Sequence, residues 1–402
     1  MRVPYAQSVH GEEEVQAVVN VLRGNTALGP KTKEFEEKTA AHFGKKYGIM
    51  VNSGSSANLL ALELLNAEPG DEIITPLLTF GTVVAPILQK GLVPVFLDVD
   101  EGTYVIDADK VEAAITPKTK ALLIPSLLGN LPNLEKLAAI AAKHNIVFIE
   151  DSCDTFGGSF KGQPTGTYSH ITTTSFYGSH IINGAGGGGM VMVNSEALAE
   201  RLVVLRGWGR RSSLFGEGAE SEKAENRFNV ELGGVQYDAK FVFSEIGYNF
   251  LPLELSAAFA LEQLKRLDGF AATRRSHYAS LLQFFKQYEK YFILPKQTEG
   301  ADAVWLAFPV VIRDSAPFVR KDIALFLEAA DIQTRPVFTG NVLKQPAFEK
   351  IPHRLAEASY ENTEQVMRGG LVFACHQGLT EEQLDYVKEQ ITTFIATRTT
   401  TA

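Results

Sequence analysis

Short apolar runs separated by stretches of helical periodicity constrain this 402-residue chain more than any other feature. The runs are Gly48–Val51, Glu72–Thr75, Val93–Asp98, Ala121–Pro125, Ile146–Asp151 and Met190–Val193. Between them, Ser56–Leu65 and Asn133–Lys143 repeat apolar residues at helical spacing. Ahead of them, Glu12–Leu22 does the same with Val15, Val18, Val19 and Leu22 on one face, followed by Lys33–Phe43. Strands alternating with helices demand right-handed crossovers, and so build a mainly parallel sheet covered on both faces. An α/β chain is expected, with a large domain over residues 1–252. Residues 253–402 fit a smaller α+β domain, from the helices Ala257–Leu267 and Ala271–Tyr288 and the run Val304–Ile312. Periodicity fails from Trp208 to Ala239, where polar Gly216–Glu225 reads as an exposed loop. The tail Thr397–Ala402 is expected to fray.

Charge and cysteine usage narrow the function. A net charge of −9 with no Lys/Arg block argues against nucleic acid as a partner. Met1–Tyr5 passes into acidic Glu12-Glu13-Glu14 without an apolar leader core, and no apolar run reaches membrane-spanning length. A cytoplasmic protein that does not enter the membrane is the expectation. The two cysteines, Cys153 and Cys375, cannot form a disulfide framework or ligate a metal cluster alone. They read as two buried thiols.

Chemistry gathers at the strand ends. Ser53-Gly54-Ser55-Ser56 closes one apolar run and opens a helix, where free backbone N–H groups and the positive helix end make a phosphate seat. Alone, Ser55 or Ser56 could equally be a helix cap. Asp151 ends an apolar run and would project from the carboxyl edge of the sheet, where ligands bind in such folds. An isolated strand-end carboxylate is as often satisfied by loop N–H groups. Asp154 follows three residues on, and Phe80 follows another strand as a candidate ring-stacking group or a core aromatic. His180 stands in Ser175-Phe176-Tyr177-Gly178-Ser179-His180, just ahead of Gly186–Gly189. In isolation such a histidine is usually structural; near a phosphate seat it can move protons at neutral pH. Of the other histidines, His376 is the one worth following.

In this order, the features resemble the DegT/DnrJ/EryC1/StrS sugar aminotransferase/dehydratase family, of the type I aminotransferase fold. The resemblance runs from Val3 to about Val387 and includes Gly70–Pro76, Pro94–Asp100, Ala114–Ala121, Glu150-Asp151 and Gly247-Tyr248-Asn249. His180, where most members carry the lysine that tethers pyridoxal phosphate (PLP), is similar to the histidine-bearing 3-dehydratase branch acting on a GDP-linked sugar. So are Asp154, Gly247–Glu254, Arg335–Asn341 and His376-Gln377.

The resemblance implies a PLP or pyridoxamine phosphate (PMP) cofactor. Gly54, Ser55 and Ser175 would hold its phosphate, with Asn249 reaching it from the partner subunit of a homodimer. Phe80 would cover the ring, Asp151 would pair with the ring nitrogen, and Asp154 would meet the ring oxygen. Arg335 would bind a carboxylate of substrate or glutamate. The implied reaction removes the C3 hydroxyl of a nucleotide-linked 4-keto-6-deoxyhexose to give a 4-keto-3,6-dideoxy sugar, with His180 moving the proton and L-glutamate regenerating PMP. A related branch carries a four-cysteine iron–sulfur site after its Trp-Gly-Arg. Here Trp208-Gly209-Arg210 is followed by no cysteine up to Tyr248, which excludes such a cluster. Two departures stand out: Ser179, where the resemblance implies a second histidine, and Gly187, where it implies an acid. An ordinary sugar aminotransferase would need a lysine at position 180, and a binding protein without turnover is the non-enzymatic alternative.

Overall fold

A computed structural model describes residues 1–214, 223–228 and 230–399. Helix α1 (Glu12–Arg23) carries three glutamates in its first turn and Arg23 in its last, each matched to the helix dipole. Helix α2 (Pro30–His42) begins with proline in the first turn, where a missing N–H costs nothing. Its open end is closed from afar. Buried Glu254 accepts from the backbone N–H groups of Gly29 (2.9 Å), Lys31 (2.6 Å) and Thr32 (3.1 Å).

There follow β1 (Tyr47–Val51), α3 (Gly54–Glu63), β2 (Glu72–Pro76), α4 (Gly81–Gln89), β3 (Val93–Leu97), β4 (Thr119–Pro125), α5 (Leu134–His144) and β5 (Val147–Asp151). Strands Ile171–Ser175 and Gly189–Val193 complete the large sheet apart from its edge. Its eight strands run in the order β1, Gly189–Val193, Ile171–Ser175, β5, β4, β2, β3 and Arg354–Leu355. From Ile171–Ser175 to Arg354–Leu355 every pairing is parallel; Gly189–Val193 is antiparallel to both its neighbours. The α/β expectation is met.

Parallel strands covered on both faces are buried along their length rather than on alternate residues, and β2 is buried at every position, Glu72 and Thr75 included. One face packs on Leu60, Ala61 and Leu62 of α3. The other packs on Leu134, Leu137 and Ala141 of α5. Leu137 is fully buried, and its truncation to alanine would cost about 2–5 kcal/mol.

The second half of the chain crosses back repeatedly. Helix Glu254–Lys265 lies on α1 and α2, and Arg354–Leu355 adds a strand beside β3. Helix Leu267–Phe285 and a three-stranded antiparallel sheet (Phe292–Ile293, Phe308–Ile312, Gly370–Phe373) share a separate core with Val3, which pairs with Ile332. Where periodicity fails, a hairpin forms between Val230–Leu232 and Val235–Tyr237. Its turn, Gly233-Gly234, has φ of +58° and +84°, as a two-residue hairpin loop requires, so the Gly-Gly pair was the missed signal. Most of the expected loop Gly216–Glu225 lies outside the described residues. The expected frayed tail is helical to Thr399, and residues 400–402 lie outside the described residues.

Candidate active site

The carboxyl ends of β2, β4, β5 and Ile171–Ser175 meet the amino end of α3 around a cavity of about 400 Å³. Gly54, Ser55, Phe80, Asp151, Asp154, Ser175 and His180 all line it. Asn249 and Arg335 do not. Asn249 pairs with Gly207 at an isolated bridge. Arg335 donates to the carbonyl of Thr334 at 2.7 Å and lies 3.8 Å from the Glu328 carboxylate, on the surface.

The anion seat is built from backbone. Ser53, rather than Ser55 or Ser56, caps α3, accepting from the N–H of Ser56 at 3.1 Å. That leaves Gly54 and Ser55 at the open, positive end of the helix. A Cβ on Gly54 would stand 2.7 Å from both Cys153 Sγ and Ser175 Cβ, so glycine is what lets these segments converge. The glycine run has a matching reason. A Cβ on Gly189 would lie 2.3 Å from the Ser53 carbonyl group, because that strand start presses against the cap.

Asp151 is the last residue of β5 and is buried. Its Oδ2 accepts from Asn58 Nδ2 at 2.8 Å and its Oδ1 from the Cys153 N–H at 3.0 Å. Burial pushes its carboxyl above the ordinary range, opposed by hydrogen bonds from Cys153 and Asn58. Asn58 lies one helical turn beyond Gly54, on the same face of α3, and that i, i+4 spacing was a usable sequence signal. Three residues beyond Asp151, Asp154 Oδ2 accepts from the Leu128 N–H at 2.9 Å; Leu128 adopts a φ of +57° in the turn after β4. Burial, with the nearby Asp151 charge adding to it, raises Asp154 to about 7, while the Leu128 N–H pulls the other way. At neutral pH this carboxyl is poised between acceptor and donor.

His180 is half-buried, and its ring stands edge-on to Tyr177 at 5.8 Å between centroids. Its Nδ1 lies 3.4 Å from the Ser175 carbonyl oxygen. A carbonyl only accepts, so Nδ1 carries the proton and Nε2 keeps a free lone pair. Burial lowers its pKa to about 4, with the Ser175 carbonyl opposing and the charge of Arg274 reinforcing the shift. The imidazole is therefore a neutral base. No lysine is among the described residues lining the cavity.

Phe80 presents a half-exposed ring at the mouth, edge-on to Phe338 at 5.7 Å between centroids. Phe338, Ser126 and Tyr177, from loops, and Thr82, from the first turn of α4, also line the cavity and were missed, since none carries a local signature. Cys153 corrects the expectation of two buried thiols: Cys375 is buried, but Cys153 lines the cavity at intermediate exposure because it follows the β5 terminus. His376 lies outside the cavity lining, buried, with Nε2 3.1 Å from the Pro4 carbonyl oxygen.

These groups fit a phosphorylated pyridine. The glycine-lined helix end suits the phosphate, and the desolvated Asp151, whose hydrogen bonds come from neutral donors, suits a protonated ring nitrogen. Ser126 Oγ is buried in the cavity wall without a partner among the described residues, ready for a polar group. No group of three or more potential metal ligands occurs among the described residues, and no described helix is long and apolar enough to cross a membrane.

The model of the DegT/DnrJ/EryC1/StrS aminotransferase family matches residues 8–392. A dTDP-4-dehydro-2,6-dideoxy-D-glucose 3-dehydratase from Saccharopolyspora spinosa is 37% identical, over 96% of this chain and 84% of that one. Among solved structures, the E. coli GDP-4-keto-6-deoxy-D-mannose 3-dehydratase with bound hydrated PLP superposes with a TM-score of 0.87 at 30% identity, covering 97% of this chain and 99% of that one. A GDP-4-keto-6-deoxymannose 3-dehydratase solved as a double variant has adjacent serine and histidine replaced by asparagine and lysine. It matches at TM-score 0.85 and 30% identity, over 96% of this chain and 100% of that one. That pair corrects one expected departure. A serine directly precedes a histidine in that enzyme, as Ser179 precedes His180 here.

Proposed function

Because the chain belongs to the DegT/DnrJ/EryC1/StrS aminotransferase family, we propose that it is a PMP-dependent 3-dehydratase of a nucleotide-linked 4-keto-6-deoxyhexose. The product is a 4-keto-3,6-dideoxy sugar, and L-glutamate restores PMP. The observation that carries this reading is His180 Nε2, a free lone pair in a cavity with no lysine among the described residues that line it. When bound, the cofactor supplies an electron-withdrawing ring and an amine that condenses with the sugar ketone.

The chain's own groups do the rest. Gly54, Ser55 and Ser175 hold the phosphate at the amino end of α3, and Phe80 and Phe338 flank the mouth. Asp151, oriented by Asn58, keeps the ring nitrogen protonated. Asp154 faces the ring oxygen. His180 takes a proton at Nε2 and returns it to the departing C3 hydroxyl, while Nδ1–H stays on the Ser175 carbonyl and fixes the tautomer. Histidine keeps lysine's proton-moving role and drops its tethering role.

The same reading calls for a homodimer. Phe241, Phe243, Ile246 and Leu253 are all exposed, Ile246 to 98%, beside Asn249. Such an apolar stretch fits a second copy that would receive Asn249 at its phosphate seat.

The test is a pair of variants. His180→Asn should lose ammonia release from 4-keto-6-deoxy nucleotide sugars, and His180→Lys should become reducible by borohydride onto PLP. Full dehydration by both variants would refute the role. Wild-type protein should convert PLP to PMP with L-glutamate, read in the visible spectrum; a binding protein without turnover would show no conversion. Covalent capture of PLP by the wild-type chain would favour the aminotransferase reading.

A further inference from the structure

Arg274 lies within helix Leu267–Phe285 with its side chain wholly buried. Burying a guanidinium is costly, and such a group persists where fixed acceptors hold it. Arg274 Nε donates to Gln377 Oε1 at 2.7 Å. Its Nη1 donates to the carbonyl oxygens of Trp305 (3.2 Å) and Leu306 (2.9 Å).

Two of these contacts, those to Gln377 and Leu306, continue to the cavity. Gln377 Nε2 donates to the carbonyl of Ile181 at 3.2 Å, one residue beyond His180. The Leu306 N–H donates to the Leu128 carbonyl at 2.8 Å, and the Leu128 N–H donates to Asp154 Oδ2 at 2.9 Å. One buried cation thus ties together the two loops that carry His180 and Asp154. An apolar residue could fill the same space without the desolvation penalty, but it could not grip acceptors on both paths.

We propose that Arg274 is a positioning residue that holds His180 and Asp154 in register across the cavity, through Gln377 on one side and Leu306 and Leu128 on the other. The inference rests on His180 being the proton-moving group. Groups around His180 are Tyr177 on its own loop, Asp151, Cys153 and Asp154 at the end of β5, and Arg274 behind it. Burial is the larger cause of the depressed imidazole pKa, and the Arg274 charge acts in the same direction.

Three full-length variants test this. Gln377→Met cuts the path to His180 and leaves Arg274 in place. Arg274→Gln removes the charge and the fork, and Arg274→Lys restores the charge alone. Gln377→Met should lower kcat about 10–100-fold, the penalty of a misplacement near 1 Å, with KM for the nucleotide sugar within about two-fold. In cofactor-free protein, the histidine Cε1–H resonance assigned with His180→Asn should titrate at higher pH in Arg274→Gln, and return towards wild type in Arg274→Lys. Wild-type kcat in Gln377→Met, or a His180 titration unmoved by Arg274→Gln, would overturn the proposal. If Arg274→Gln does not fold, Gln377→Met still decides. Should His180→Asn itself keep full activity, the function of His180 fails, whereas an active Gln377→Met beside an inactive His180→Asn defeats only the role of Arg274.

Discussion

Asn58 holds Asp151 by one end of its amide and is held by the other. Its Nδ2 donates to Asp151 Oδ2 at 2.8 Å, and its Oδ1 accepts the Thr173 hydroxyl at 2.6 Å. A carboxylate cannot donate, so the amide orientation is fixed and Asp151 is aimed by a neighbouring strand. Asn58→Leu should destabilise the fold by about 1–3 kcal/mol, the usual cost of stranding a buried polar partner. It should also weaken PLP binding about tenfold or more, since 1.4 kcal/mol of lost ring-nitrogen pairing is a factor of ten. Urea unfolding and a spectroscopic PLP titration measure the two; unchanged values in both would show that Asp151 needs no such support.

Gly54 is the second test, because space rather than charge is at stake. Gly54→Ala places a Cβ 2.7 Å from Ser175 and Cys153, so the phosphate seat must open. A loss of about 1–3 kcal/mol is expected, as for overpacked cores. Inorganic phosphate competition against PLP should weaken in step, and an alanine variant that competes like wild type would show that the helix end is not the seat.

Asp154 predicts a pH dependence in cofactor binding. Its carboxyl is raised to about 7 by burial, so it is neutral below that pH and anionic above it. An anion facing the ring oxygen repels it, and PLP affinity should fall as pH rises through about 7. Asp154→Asn should remove that fall while leaving any dependence due to the phosphate. Parallel pH profiles in the two proteins would contradict this placement.

His376 predicts a pH dependence of stability. Burial holds its imidazole down to about 4, with the Pro4 carbonyl opposing. A depressed pKa in the folded state means that the unfolded chain binds the proton first. Stability from this group is intact above about 6.5 and is lost as pH falls towards about 4. Between pH 7 and 5 the loss is about 2 kcal/mol by linkage. His376→Gln, which keeps a donor for the Pro4 carbonyl, should lose that much less over the same interval in urea unfolding. Equal losses in variant and wild type would show that His376 does not titrate this way.

Much of the fold is legible because its strands are buried on both faces. Runs such as Ile146–Ile149 are therefore apolar without interruption and lead, past buried Glu150, to the residue that turns towards the site. Asp151 and Gly54 could be singled out for the same reason, each sitting at or just past the end of a run, whereas His180 stood out by its Ser-Phe-Tyr setting ahead of the glycines. The glycine run was visible too, but its cause was not, since only the packing sets Gly189 against the Ser53 carbonyl.

Other groups carry no local mark. Phe338 reaches the cavity mouth from a loop remote in sequence, and Asn58 resembles any polar residue in a buried helix until Asp151 and Thr173 are seen around it. Arg274 lies 94 positions from His180 along the chain and is tied to its loop only through Gln377. Sequence alone determined the periodicities and the residue types available for chemistry, because those depend on near neighbours. Which nitrogen of His180 is bare, and which carboxyl is poised to take up a proton, was decided by tertiary structure, because burial and opposing carbonyls arrive from distant segments.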